Sequence, residues 1–283
     1  MPAPQTRSVA IMLAPNGARL TSKDHPAIPV TIPETVAAIA AGRDAGATAV
    51  HLHVRDENAR HLLDADVYRE SMAAVRERLG ASFPIQVTTE SVGLYTPPEQ
   101  MAMVRNLSPE FASVGMRELV NDDADIEAAR DFYHWAADNG TGIQHILYEP
   151  HEVATLFELQ AKGVLPAAPL TMIFVLGRYT PGQRSEPADL DPFLQALEQQ
   201  PRENYRQWMI CAFGQLETDC LLHAVDCGGH VRIGFENNRL QPDGTPATDN
   251  AHRVTTLMQA LAERGVGICD ADATRDVLGS VSS

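Results

Sequence analysis

The feature that most constrains the fold is the alternation of short apolar runs with longer helical patterns along the chain. The segments between the runs carry helix start and stop signals. In "PETVAAIAAGRDAG", for example, Pro33 and Glu34 stand in the first turn and Gly46 stands at the end. The apolar runs, which predict buried strands, span residues 8–14, 47–54, 84–90, 110–115, 145–149, 170–177, 206–214 and 230–236.

Eight strand–helix units follow one another without a break in composition. Near-continuous apolar strands that alternate with helices are typical of a parallel sheet covered by helices. Eight such units in about 250 residues predict a closed (β/α)8 barrel, the TIM barrel fold. A doubly wound open sheet is the alternative. Because no linker or low-complexity tract interrupts the pattern, we expect residues 1–283 to form a single barrel domain.

Net charge, the length of the apolar runs and the cysteine content limit which partners and which cellular compartment are expected. The net charge of −15 repels nucleic acid and anionic membrane surfaces, so neither is an expected partner. No apolar run approaches the roughly 20 residues that span a bilayer, and "MPAPQTRSVAIML" lacks the apolar core of a signal peptide. The four cysteines fit neither a zinc knuckle nor a disulfide scaffold, so we expect reduced thiols in a cytoplasmic protein.

The stretch "HLHVRD" places two histidines at the end of the second predicted strand. Side chains alternate between the two faces of a strand, so His51 and His53 point the same way. The carboxyl ends of barrel strands form the face on which active sites are built. Two imidazoles there suit zinc or a similar divalent ion. The alternative is a pair of core histidines that bind backbone carbonyls.

The eighth predicted strand offers a third ligand. In "GGHVRIGFENN", alternation places His230, Arg232, Gly234 and Glu236 on one face, with Glu236 at the carboxyl end. Strand one lies between strands eight and two in a closed barrel, so Glu236 can reach the space above the two histidines. Two imidazoles and a carboxylate leave positions open for substrate, as a catalytic metal requires. Alternatively, Glu236 pairs with Arg232.

Over nearly its whole length the sequence resembles the β-keto acid cleavage enzymes. The resemblance is carried by "PAIPVTIPE", "AGATAVHLHVRD", "FVLG" and "GGHVRIGFEN". It implies a zinc-dependent barrel that converts a β-keto acid and acetyl-CoA to acetoacetate and a new CoA thioester. The implied route is enolate formation, condensation, CoA migration and retro-Claisen cleavage. His51, His53 and Glu236 would be the zinc ligands, Arg232 the active-site arginine, and Thr88 a hydroxyl that contacts substrate. We also expect a homo-oligomer, a dimer or a tetramer.

The sequence departs from this family at the expected base. Many members read Glu-Asp-Asn where this chain reads "ENN", so Asn237 stands where an aspartate acts or assists as the base. An amide has no useful basicity, and Asn237 is therefore expected only to contact substrate. Glu90 and Glu118, at the ends of predicted strands three and four, are the candidate catalytic carboxylates. Water is a third option if a metal acidifies the substrate.

A second departure concerns substrate choice. Arg19 stands where members acting on an amino-substituted keto acid carry an acidic residue. A cation there predicts an anionic or hydrogen-bonding side chain on the keto acid. The alternative is that Arg19 is a loop residue in solvent.

Two other functions remain open at this stage. Amidohydrolase-type metallohydrolases also use a His-x-His pair in a barrel, but on strand one, with further histidines after strands five and six. Here the pair is on strand two, and strand six ends in "VLGRY". A barrel that binds metal and ligand without turnover is the other possibility, suggested by Asn237.

Overall fold

The computed structural model describes residues 7–122 and 124–280 and contains a closed barrel of eight parallel strands. Each strand pairs with its neighbours in chain order, and β8 pairs with β1 to close the ring. This confirms the predicted TIM barrel and excludes the open sheet. The strands are β1 Ile11–Leu13, β2 Ala49–Leu52, β3 Ile85–Thr88, β4 Phe111–Gly115, β5 Gly142–Leu147, β6 Leu170–Leu176, β7 Tyr205–Ala212 and β8 His230–Ile233.

Helices follow the strands as the sequence patterns predict. In the first, the Thr31 hydroxyl accepts from the Glu34 N–H while the Glu34 carboxylate accepts from the Thr31 N–H, a reciprocal cap that fixes where the helix begins. The helices are α1 Ile32–Asp44, α2 Ala65–Leu79, α3 Pro97–Leu107, α4 Met116–Leu119, α5 Ile126–Asp138, α6 His151–Ala161, α7 Asp191–Glu198, α8 Glu217–Cys227, α9 Asn250–Glu263 and α10 Ala271–Leu278, with 3-10 turns at Pro187–Leu190 and Arg202–Asn204. None of the helices among the described residues has the length and apolar character that a bilayer span requires.

The structure adds short strand pairings that the sequence did not predict. Ser8–Val9 pairs in parallel with Gly267–Ile268, and Val54–Arg55 pairs with His61–Leu62 in a short hairpin. The predicted strand 8–14 is broken at Ala10, whose N–H donates to His230 Nδ1 at 3.0 Å.

Two apolar layers hold the barrel together. The outward faces of the strands pack on the helices, and a smaller inner cluster, including Met12, Phe111 and Met209, fills the barrel interior. Val277 and Leu278 of α10 join that inner cluster. Since α10 adds its apolar side chains to the inner cluster, the interior is a packed core rather than a channel, and the polar side chains gather at the carboxyl ends of the strands.

Candidate active site

Three predicted metal ligands meet at the carboxyl end of the barrel. His51 lies in β2, His53 follows it on the same face, and Glu236 lies just after β8. The two Nε2 atoms are 3.1 Å apart, and Glu236 Oε2 lies 3.8 Å from that of His51 and 3.6 Å from that of His53. All three donor atoms lie within 4.8 Å of one another. Strand alternation and barrel closure therefore bring these residues together as the sequence predicts.

The orientation of His51 is set by a chain of buried amides inside the barrel. Gln86 Nε2 donates to Gln144 Oε1 at 3.1 Å, so Gln86 Oε1 is the atom that faces His51 Nδ1, at 2.8 Å. The Nδ1–H of His51 therefore donates to Gln86, and the lone pair of the ring is on Nε2. That lone pair points at His53 Nε2 and toward Glu236, which is the arrangement of a ligand rather than of a core histidine.

Burial keeps both imidazoles neutral. It lowers the pKa of His51 to about 4, with Arg232 adding to the effect, and it lowers the pKa of His53 well below its usual value. Burial alone would raise the pKa of Glu236, but Arg232, His51 and Arg178 hold it below its usual value. The cluster thus offers two neutral imidazoles and one carboxylate, the protonation states that a metal site requires.

One oxygen of Glu236 has a partner and the other does not. Oε1 accepts from Arg232 Nη2 at 3.0 Å, so the alternative of an Arg232–Glu236 pair is also realised. Oε2 is buried and has no hydrogen-bond donor in the described part of the chain. A buried carboxylate oxygen without a donor is costly, and a cation between it and the two imidazoles would satisfy it. The residues present therefore fit a divalent metal.

A cleft opens beside this cluster and holds about 310 Å³ of atom-free space, including its open side. We call it the barrel-mouth cleft. Its lining combines apolar, aromatic and charged side chains: His51, Thr88, Glu90, Ile146, Tyr148, Val175, Arg178, Phe213, Arg232 and Glu236. A concave site with a few convergent polar groups is the usual form of a small-molecule site.

Glu90 and Thr88 lie in this cleft, as the sequence predicts. Thr88 Oγ1 accepts from the Glu90 N–H at 3.0 Å, and Glu90 Oε1 accepts from Arg178 Nη2 at 3.0 Å. Burial and the neighbouring Glu236 raise the pKa of Glu90, while Arg178 opposes the shift. Arg19 is exposed and does not line the cleft, although its charge also favours the ionised form of Glu90.

Glu118 and Asn237 are not among the residues that line the cleft. Glu118 Oε2 accepts from the Ser91 N–H at 3.0 Å and from the Gln100 amide at 2.6 Å, so it stabilises the loop after β3. Asn237 is buried, and neither side-chain atom has a partner among the described residues. The structure therefore places Glu90, and not Glu118, beside the three-ligand cluster.

Four residues of the site were not predicted as functional. Gln86 had a readable signal, since it is a polar residue in an apolar strand on the same face as Thr88. Tyr148, Arg178 and Phe213 follow β5, β6 and β7, the positions from which barrel active sites are drawn. Tyr148 and Phe213 lie within the predicted strands 145–149 and 206–214, so strand alternation could have indicated their direction. Arg178 follows the predicted strand 170–177 in a loop, which has no fixed alternation.

Comparison with known proteins gives a consistent family match. The model of the β-keto acid cleavage enzyme family matches residues 8–279. A 3-keto-5-aminohexanoate cleavage enzyme from Acetoanaerobium sticklandii is 26% identical over 93% of this chain and 95% of its own length. A 3-oxoadipate:acetyl-CoA acetyltransferase from Cupriavidus necator is 24% identical over 97% of this chain and 95% of its own.

Solved structures with a similar fold include the apo form of ObcA. It aligns with a TM-score of 0.70 at 18% identity, over 91% of this chain and 66% of ObcA, so this chain spans just under two thirds of that protein. A 3-dehydroquinate dehydratase from Geobacillus kaustophilus aligns with a TM-score of 0.58 at 12% identity, over 90% of this chain and 92% of that one. At these identities the likeness concerns the barrel fold alone.

Proposed function

Because the chain belongs to the β-keto acid cleavage enzyme family, we propose that it transfers CoA from acetyl-CoA while cleaving a β-keto acid. The products would be acetoacetate and a new CoA thioester. The name of the acetyltransferase relative from Cupriavidus necator supports acetyl-CoA as the co-substrate. We further propose that the enzyme holds zinc.

The observation that carries the proposal is the convergence of His51, His53 and Glu236 at the barrel mouth, with Glu236 Oε2 lacking a protein donor. Two imidazoles and one carboxylate are a common ligand set for catalytic zinc and leave positions free for substrate. Bound there, a divalent cation would supply Lewis-acid chemistry to the keto and carboxylate oxygens of the substrate.

Arg232 is held ready to bind an oxygen of the substrate. Its Nη2 donates to Glu236 Oε1 at 3.0 Å and contacts Cys211 Sγ at 3.2 Å, while its buried Nε has no partner among the described residues. A guanidinium fixed in this way can donate charge-assisted hydrogen bonds to a substrate carboxylate or a developing oxyanion.

Glu90 is the candidate base. It lies in the barrel-mouth cleft, and burial raises the pKa of its carboxyl group, which makes the carboxylate a better proton acceptor near neutral pH. It would take the proton from the carbon between the keto and carboxylate groups of the substrate. Glu118 is held by Ser91 and Gln100 outside the cleft, so it does not share this role.

The arrangement of the site does not match that of an amidohydrolase. The His-x-His pair belongs to β2, and the loop after β6 brings Arg178 into the cleft rather than a histidine. The non-catalytic barrel remains an outcome of the test below.

The test measures acetoacetate formed from acetyl-CoA and a panel of β-keto acids, before and after removal of metal by a chelator. We expect product with at least one keto acid, loss of turnover on chelation and recovery when zinc is restored. Metal-bound protein that forms no product with any keto acid would favour the non-catalytic barrel.

The metal ligands are tested by elemental analysis of His51→Ala. This variant should lose bound metal, because it removes one imidazole ligand together with the Nδ1–H that donates to Gln86. His134→Ala is the control, since His134 is exposed on α5 and its Nε2 donates to the Gly163 carbonyl at 3.2 Å. Equal metal content in the two variants would contradict the ligand assignment.

A further inference from the structure

We propose that Arg178 determines substrate specificity and binds the distal carboxylate of a β-keto dicarboxylic acid. The inference rests on the proposed function, because it concerns the same cleft and the same keto acid. Arg178 would then select substrates that carry a second negative charge.

Arg178 stands opposite the three-ligand cluster. Strands β2 and β6 are four places apart in a closed ring of eight, so His51 and the loop after β6 face each other across the barrel mouth. Both residues line the barrel-mouth cleft. A keto acid bound by its keto and carboxylate end beside His51 therefore extends its other end toward Arg178.

Glu90 binds one edge of the Arg178 guanidinium, and the other edge is available to a substrate. Nη2 donates to Glu90 Oε1 at 3.0 Å, and the group lies over the Phe213 ring, 5.1 Å from its centre. Within residues 7–122 and 124–280 its other N–H groups donate to nothing. An arginine has five N–H donors in a planar fork that matches a carboxylate, so a second carboxylate fits beside Glu90.

Charge balance in the cleft favours a dianion. The positive charges of Arg178 and Arg232 match the negative charges of Glu90 and Glu236. A divalent cation at the three-ligand cluster would then leave two positive charges among side chains that are largely buried. A keto acid with one carboxylate neutralises half of this excess, whereas one with two carboxylates neutralises all of it, and uncompensated buried charge is costly.

The same groups disfavour a cationic substrate. Glu90 is already paired with Arg178, and the positive charge of Arg19 also acts on Glu90. A substrate ammonium would have to compete with a guanidinium already in contact with Glu90.

Three six-carbon acids of matched chain length separate these cases: 3-oxoadipate with a distal carboxylate, 3-oxohexanoate with a distal methyl group, and 3-keto-5-aminohexanoate with an ammonium group. The measurement is kcat/KM for acetoacetate formation, together with calorimetric binding of each acid to the metal-loaded protein. We expect the wild-type protein to prefer 3-oxoadipate over 3-oxohexanoate by about tenfold or more, the usual size of a charge-assisted pair.

Arg178→Gln should lower the ratio of kcat/KM for 3-oxoadipate to that for 3-oxohexanoate by about tenfold or more, mainly through KM. Arg178→Lys should recover part of this ratio because it keeps the charge without the fork. Arg184→Gln is the matched control, since Arg184 is an exposed arginine of the same loop that does not line the cleft. Its ratio should equal that of the wild-type protein.

Two results would overturn the inference while leaving the proposed function standing. One is a preference of the wild-type protein for 3-keto-5-aminohexanoate. The other is an Arg178→Gln variant whose ratio of kcat/KM for 3-oxoadipate to that for 3-oxohexanoate is unchanged. Absence of acetoacetate with all three acids would instead contradict the proposed function. In that case the calorimetric ranking still decides the inference: tighter binding of 3-oxoadipate that depends on Arg178 supports it, and equal binding of the three acids refutes it.

Discussion

Gln86 controls which nitrogen of His51 is available at the site. Its amide is itself oriented by Gln144, so the chain from Gln144 to His51 fixes a single tautomer inside the barrel. Groups of this kind, which contact a metal ligand rather than the metal, raise the basicity of the imidazole and hold its ring in place.

Replacing Gln86 by Leu should weaken divalent-metal binding by about 10- to 100-fold, because His51 loses the acceptor that fixes its Nδ1–H. Competition with a chelating indicator measures this affinity. Gln86→Glu is the paired variant: its carboxylate still accepts from Nδ1, and the Gln144 amide can turn to donate to it. We expect affinity in Gln86→Glu to stay within a few-fold of wild type; a loss equal to that in Gln86→Leu would contradict the orienting role.

The sequence was most informative about residues on strands. His51 and His53 were predicted because strand alternation places them on one face, and Glu236 because barrel closure brings the end of strand eight near them. The predicted strand 230–236 ends at Ile233, however, so the turn at Gly234 rather than alternation directs Glu236. Arg178 was not predicted, because it follows Gly177, which has a φ of 79°, in a loop whose course depends on packing. Glu118 has the same chemical type as Glu90, and only the structure distinguishes them: Ser91 and Gln100 hold Glu118 outside the cleft, whereas Glu90 lines it and pairs with Arg178.

At the scale of elements, the end of β8 depends on a close approach to β1. Gly234 has a φ of 144°, and a Cβ atom there would lie 2.3 Å from the carbonyl oxygen of Ala14. That same oxygen accepts from the Glu236 N–H at 3.2 Å. The close contact between the two chain segments is therefore what places the carboxylate of Glu236 beside His51 and His53.

Gly234→Ala should lower the free energy of unfolding by about 2 kcal/mol or more, because both the φ and the backbone contact must change. Gly265→Ala separates these causes: Gly265 has a φ of 67°, but no atom lies within 4 Å of the position that a Cβ would take. It should cost only about 1 kcal/mol. Urea denaturation of both variants measures the difference, and equal losses would show that the contact with Ala14 is unimportant.

Apolar runs predicted the strands of the barrel, and start and stop signals at the two ends of a segment predicted the helices. Ser8–Val9 lies inside the predicted strand 8–14, but its pairing with Gly267–Ile268 was missed, because a two-residue strand has no period of its own and forms only through a contact between distant parts of the chain. The hairpin of Val54–Arg55 and His61–Leu62 was missed for the same reason.

Across the described residues, some buried polar side chains lie at the barrel mouth and others lie elsewhere in the fold. His145 is buried outside the barrel mouth. Its neighbour Gln144 faces the barrel interior, and the His145 ring points the other way, with its centre 5.4 Å from that of Tyr133 on α5. Burial lowers the pKa of His145 from its ordinary value of 6.5 to about 4, and its Nδ1 has no partner among the described residues. The fold thus holds this imidazole neutral, away from the site.

This makes the stability of the barrel sensitive to acid. Below pH 6.5 the unfolded chain protonates His145 while the folded chain does not, so the unfolded state binds more protons and stability falls as the pH falls toward 4. The full loss from this group is about 3 kcal/mol. His145→Gln should therefore lose less stability than the wild-type protein between pH 7 and pH 5 in urea denaturation, whereas His134→Gln, altered at an exposed position on α5, should follow the wild-type pH dependence. Identical pH dependence in wild type and His145→Gln would mean that folding does not lower the pKa of His145.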